Sequence, residues 1–142
     1  MTTASSPALA GGNSAAFPRR QMLAYWVATL FVTVTAAAAG TMDILRIEPL
    51  FGVMLHMGYP AYFATILGTW KVLGAVALLA PRYPRIKEWA YAGMFIDYTA
   101  AVASYVAVGD GTVSNLIGPL LSLALLVTSW RLRPLSPRIA AS

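Results

Sequence analysis

The fold class this chain predicts is all-α: an integral membrane antiparallel four-helix bundle with both termini cytoplasmic. Three observations predict it. Hydrophobic residues make up 58% of the 142 residues and charged residues 11%, with a mean hydropathy of +0.67, whereas soluble domains carry about 25% charge. Apolar stretches at about 23–45, 60–80, 89–108 and 113–130 each match the roughly 20 residues of a bilayer crossing. Basic residues also gather at alternate ends of these stretches. Arg19, Arg20, Arg82, Arg85, Lys87, Arg131, Arg133 and Arg138 fall on one side, against Arg46 alone on the other. That asymmetry follows the positive-inside rule.

Residues 1–20, rich in Ala, Ser, Gly and Pro, read as a disordered cytoplasmic tail, residues 21–133 as the membrane domain, and 134–142 as a second tail. Arg19-Arg20 with the apolar run after it imitates a secretory or twin-arginine signal. The run exceeds the 7–15 residues of a signal core, so it reads as a span. Net charge +5 points to an anionic lipid surface and not to nucleic acid, because the charges sit at span ends. Cysteine is absent, which excludes disulfides and thiolate chemistry in these residues.

Span one carries Thr29, Thr33, Ala36, Ala37 and Gly40 at three- and four-residue spacing, a seam for close helix approach. Asp43 follows near its outer end. The loop from Arg46 to Pro60 contains Pro49, the Gly58-Tyr59-Pro60 turn and the only histidine, His56; Phe51–Met57 is apolar enough for a short interfacial helix. Span two puts Ala64, Gly68, Lys71 and Ala75 on one face. It ends at Pro81 and Pro84, before a basic hairpin at Arg82, Arg85 and Lys87 suited to contacts with lipid or a partner protein. Glu88 is expected in the first turn of span three, capping it and pairing with the basic loop. Its polar stripe is Gly93, Asp97, Ala101 and Ser104. Gly109-Asp110-Gly111 makes a tight turn, and span four contains Asn115, Pro119 and Ser122.

Lys71 is the most informative residue. An ammonium in a span costs at least about 2.5–3.5 kcal/mol, so it needs a partner, a water-filled cavity or a role. Counted from the cytoplasmic ends of their spans, Lys71 lies about 14 Å deep and Asp97 about 12 Å, so the two are expected to pair. Asp43, about 30 Å from Leu23, is expected at the outer rim with His56 and Arg46. A Lys71–Asp97 pair is open to two readings, a ligand or proton site and a structural lock on helix register. No His, Asp and Glu cluster with metal spacing is present, so no metal site is predicted.

Through the blocks Gly58-Tyr59-Pro60, Gly68-x-x-Lys71 and Lys87-Glu88-Trp89-Ala90-Tyr91-Ala92-Gly93, the chain resembles the DoxX-like family of small four-helix membrane proteins. The likeness covers about residues 25–133. It implies the bundle with cytoplasmic termini, in a bacterial inner membrane. The wider DoxX group includes members of quinone-linked sulfur oxidation and partners of redox-defence enzymes. His56, Tyr59, Pro60, Gly68, Lys71, Glu88, Trp89 and Gly93 match the pattern, while Tyr105 stands where many relatives have histidine. A proton step through that position is therefore not implied here.

The resemblance and the intramembrane charges lead to one expectation: an accessory of a membrane redox or quinone-linked system that binds a small lipophilic ligand, such as a quinone. Lys71, Asp97, Asp43, His56 and Tyr105 are the candidate site residues. One alternative is a non-catalytic assembly protein that recruits partner enzymes through Arg82, Arg85 and Lys87. The other is a transporter or channel subunit, which four spans would form only as a homo-oligomer.

Overall fold

The computed structural model describes residues 18–134. Among them the chain is all helical, with α1 at Arg19–Leu45, α2 at Leu50–His56, α3 at Ala61–Leu79, α4 at Pro84–Ala107 and α5 at Val113–Leu132. Of the tails expected at 1–20 and 134–142, residues 1–17 and 135–142, with Arg138, lie outside the described residues. Helices α1, α3 and α5 are long and apolar enough to cross a membrane. At 24 residues, or about 36 Å, α4 has the length as well. It falls short in apolarity even past Glu88, because Asp97, Thr99, Ser104 and the tyrosines Tyr91, Tyr98 and Tyr105 dilute it.

Two boundaries differ from the sequence expectation. Helix α1 begins four residues early, so Arg19 and Arg20 form its first turn instead of preceding it. Helix α4 begins at Pro84, whose fixed φ and missing N–H suit a first helical position. Arg85, Lys87 and Glu88 are thus helical, and Glu88 lies beyond the first turn it was expected to cap.

At the end away from the termini, α1, α2 and α4 stop in the same way. Arg46, Gly58 and Gly109 take positive φ of 56°, 84° and 82°. In each case the next N–H reaches back five residues: Ile47 to Met42 at 2.9 Å, Tyr59 to Met54 at 3.1 Å, and Asp110 to Tyr105 at 2.9 Å. This is the Schellman closure, which satisfies carbonyls that a helix end leaves free.

Helix α1 packs against α3 and α5, α4 packs against the same two, and α2 rests on α1 and α3. Neighbours run antiparallel, as the pairs Gly40–Gly68, Lys71–Asp97 and Tyr91–Ser129 require. The apolar core is Val32, Ala36, Ala75, Leu78, Ala90, Tyr91, Met94 and Leu126. These residues lie between the Lys71 level and the termini.

Candidate functional site

The site starts from two residues without side chains. A Cβ on Gly40 would stand 2.7 Å from the Gly68 carbonyl oxygen and 2.9 Å from the Lys71 Cβ; one on Gly68 would strike the Gly40 carbonyl. Only glycine at both positions lets α1 and α3 approach this closely. The contact aligns the next turns, where Lys71 Nζ donates to Asp43 Oδ2 at 3.0 Å and lies 3.8 Å from Asp97 Oδ2. The side chains of Lys71, Asp43 and Asp97 are 17%, 1% and 16% exposed.

This arrangement corrects the expectation for Asp43. It belongs to the Lys71 cluster and is its closest partner, not a member of an outer group. The reason is axial offset. Gly40, near the end of α1, is level with Gly68 to Val72 in the middle of α3. The extra length of α1 overhangs on the termini side. Gly68 itself sits seven residues past Ala61, about 10 Å below the far end of α3. Counting from Leu23 assumed flush ends, which a 27-residue and a 19-residue helix do not share.

Beside the cluster lies a cavity of about 110 Å³ lined by Thr35, Ala36 and Ala39 of α1, Lys71 of α3, Tyr98 of α4 and Ser122 of α5. Each of the four long helices contributes to the wall. The polar lining is one ammonium and three hydroxyls, of which that of Thr35 donates to the Phe31 carbonyl at 2.8 Å. Pockets that enclose a drug-sized ligand span roughly 300–1,000 Å³. At about 110 Å³ this cavity is smaller than that.

His56 lies outside this cluster. Its Nε2 is 2.8 Å from Asp110 Oδ2, joining α2 to the α4–α5 turn, where Asn115 Nδ2 also donates to the Asp110 carbonyl at 3.1 Å. The Tyr59 and Ser104 hydroxyls bond at 2.7 Å and tie the same segments. The outer group of Asp43, His56 and Arg46 expected from sequence is thus divided, with His56 on Asp110 and Asp43 on Lys71. Tyr105 contributes its carbonyl to the α4 closure and is not among the cavity residues. Arg82 and Arg85 are exposed and Lys87 partly so.

A second polar cluster, at the termini end, went unforeseen. The Thr29 and Ser129 hydroxyls bond at 2.6 Å, Ser129 and Tyr91 at 2.8 Å, and Thr29 donates to the Tyr25 carbonyl at 2.7 Å. Glu88 pairs with Arg133 and accepts from Trp130 Nε1, while the Arg133 guanidinium stands 6.0 Å from the Tyr91 ring centre. Glu88 therefore joins α4 to α5 and not to the α3–α4 hairpin. Antiparallel register held the available signal: Glu88 lies near the start of α4 and Arg133 just past the end of α5.

A model of the DoxX-like family matches residues 14–129. No curated protein matches the chain, and no solved structure does.

Proposed function

The chain belongs to the DoxX-like family, and from that premise we propose a membrane accessory role, in which a four-helix bundle holds the polar head of a lipophilic ligand in the Lys71 cavity. The bundle crosses a bacterial cytoplasmic membrane four times, α4 included. Both termini then lie on the cytoplasmic side, where the flanking Arg and Lys residues gather. The ligand reading rests on one observation: a Lys71 ammonium within a span, faced by Asp43 and Asp97, that lines a cavity shared by four helices. Intramembrane charges of this kind mark ligand or ion sites. A quinone is the ligand proposed, because Lys71, Tyr98 and Ser122 offer donors to its carbonyl oxygen. A membrane-bound redox enzyme is the proposed partner.

Organic extraction of purified protein tests this, with the extract analysed for quinones by mass spectrometry. A stoichiometric quinone in the native protein, lost in Lys71→Met, is expected. Absence of quinone from both, together with no uptake on reconstitution, would sink it.

The assembly reading draws on a different observation, the exposure of Arg82 and Arg85 beside the partly exposed Lys87. Charge reversal at these three positions would then abolish recovery of a partner enzyme, while Lys71→Met would leave recovery intact. A transport path through one copy ranks behind both readings. Val32, Leu78 and Leu126 are buried to 2% exposure or less between the cavity and the termini, and such a path would have to displace them.

A further inference from the structure

Lys71 meets two carboxylates where one would balance it. Asp43 accepts its hydrogen bond at 3.0 Å and is 1% exposed, which meets the need of a buried cation for a close partner. Asp97 stands off at 3.8 Å and adds a second negative charge. The cavity alongside is lined by the Lys71 ammonium and by the Tyr98 and Ser122 hydroxyls, which can donate, while the Thr35 hydroxyl donates to the Phe31 carbonyl of its own helix. Such a lining with one ammonium attracts anions. Fatty-acid carboxylates and lipid phosphates are the abundant anionic heads a membrane offers it.

We infer that Asp97 sets the charge specificity of this cavity, so that it takes a neutral head group with hydrogen-bond acceptors, such as a ketone or quinone carbonyl, and rejects carboxylate and phosphate heads. The inference rests on the reading above that the cavity holds a ligand. The carboxylates do not line the cavity but flank its ammonium at 3.0 and 3.8 Å, so an anion seated on Lys71 faces two negative charges against one positive, in a medium of low dielectric. A neutral acceptor uses the same donors without that repulsion. Asp97 thus acts against the wrong ligand rather than for the right one. Asp43 is unsuited to this role because its position is spent on Lys71 and on the packing of α1 against α3.

The experiment uses the full chain in phosphatidylcholine nanodiscs, with 2-dodecanone and dodecanoate as probes of matched length and native mass spectrometry as the readout. The wild-type protein retains the ketone and excludes dodecanoate. Asp97→Asn keeps the ketone and raises retained dodecanoate by about tenfold or more. Asp97→Glu, which preserves the charge, continues to exclude it. Thermal unfolding of each variant confirms that folded protein is compared, and Asp97→Gln replaces Asp97→Asn if the latter does not fold. Dodecanoate bound by the wild type as well as the ketone, or unchanged in Asp97→Asn, overturns the role of Asp97 and leaves the ligand reading standing. Retention of neither probe by any variant overturns both.

Discussion

Gly40 and Gly68 face each other so closely that the carbonyl oxygen of each fills the space where a Cβ of the other would stand. Through that contact α1 delivers Asp43 to Lys71, one turn further along each helix. Two positions without chemistry of their own set the geometry of the charged cluster.

Gly68→Ala should therefore force α1 and α3 apart. The expected loss is about 1–3 kcal/mol, typical of an overpacked interface. Gly93→Ala serves as the control, since nothing lies within 4 Å of a Cβ there, and it should gain about 0.5–1 kcal/mol of helix stability. Unfolding midpoints in mild detergent would separate the two. Equal tolerance of both changes would remove the close contact from the account.

The two carboxylates at Lys71 should differ in cost. Asp43→Ala leaves a buried ammonium without its hydrogen-bonded partner, and breaking such a pair costs about 3–5 kcal/mol. Asp97→Ala should cost clearly less, because Asp97 stands at 3.8 Å and the Asp43 bond remains. The reverse order would restore Asp97 as the principal partner.

At the termini end, Ser129→Ala removes the hydroxyl that joins Thr29 to Tyr91. Thr29 keeps its bond to the Tyr25 carbonyl, so the buried Tyr91 hydroxyl is left short of a partner, at an expected cost of about 1–3 kcal/mol. Tyr91→Phe keeps the ring near Arg133 and should cost less. Denaturation of the two variants side by side checks the ranking.

Far from both clusters, His56→Ala breaks an exposed pair with Asp110, whose side chains are 65% and 45% exposed. Exposed pairs contribute about 0–1 kcal/mol, so the unfolding midpoint should barely move. Gly109→Ala, at φ 82°, should cost more, about 1–2 kcal/mol, because an L-residue is strained there. A larger effect at His56 than at Gly109 would contradict this ordering.

Much of this molecule was legible in its sequence. Apolar run lengths located the long helices, and the cost of an intramembrane lysine singled out Lys71. Its nearest partner was not legible. That required the slide of α1 along α3, which depends on where two glycines dock and leaves no trace in hydropathy. The Thr29–Ser129–Tyr91 chain escaped for a related reason. Hydroxyls in helices commonly bond to their own backbone, as Thr35 does to the Phe31 carbonyl at 2.8 Å, so only register reveals a bond across helices. Glu88 was read as a cap because α4 was expected to begin five residues late, past Pro84.

The segment from Arg46 to Pro60 is the longest connection between long helices and resembles a convenient place for a reporter, an epitope or a protease site. It is instead a roof. Helix α2 rests on α1 and α3, and His56 and Tyr59 fasten the segment to Asp110 and Ser104. Insertion is tolerated where backbone is exposed and unbonded, and this stretch offers little of that. The turn after Gly109 is shorter still. An insertion between Phe51 and Tyr59 would interrupt the backbone bonds of this roof, so a topology tag placed there would report on an altered molecule.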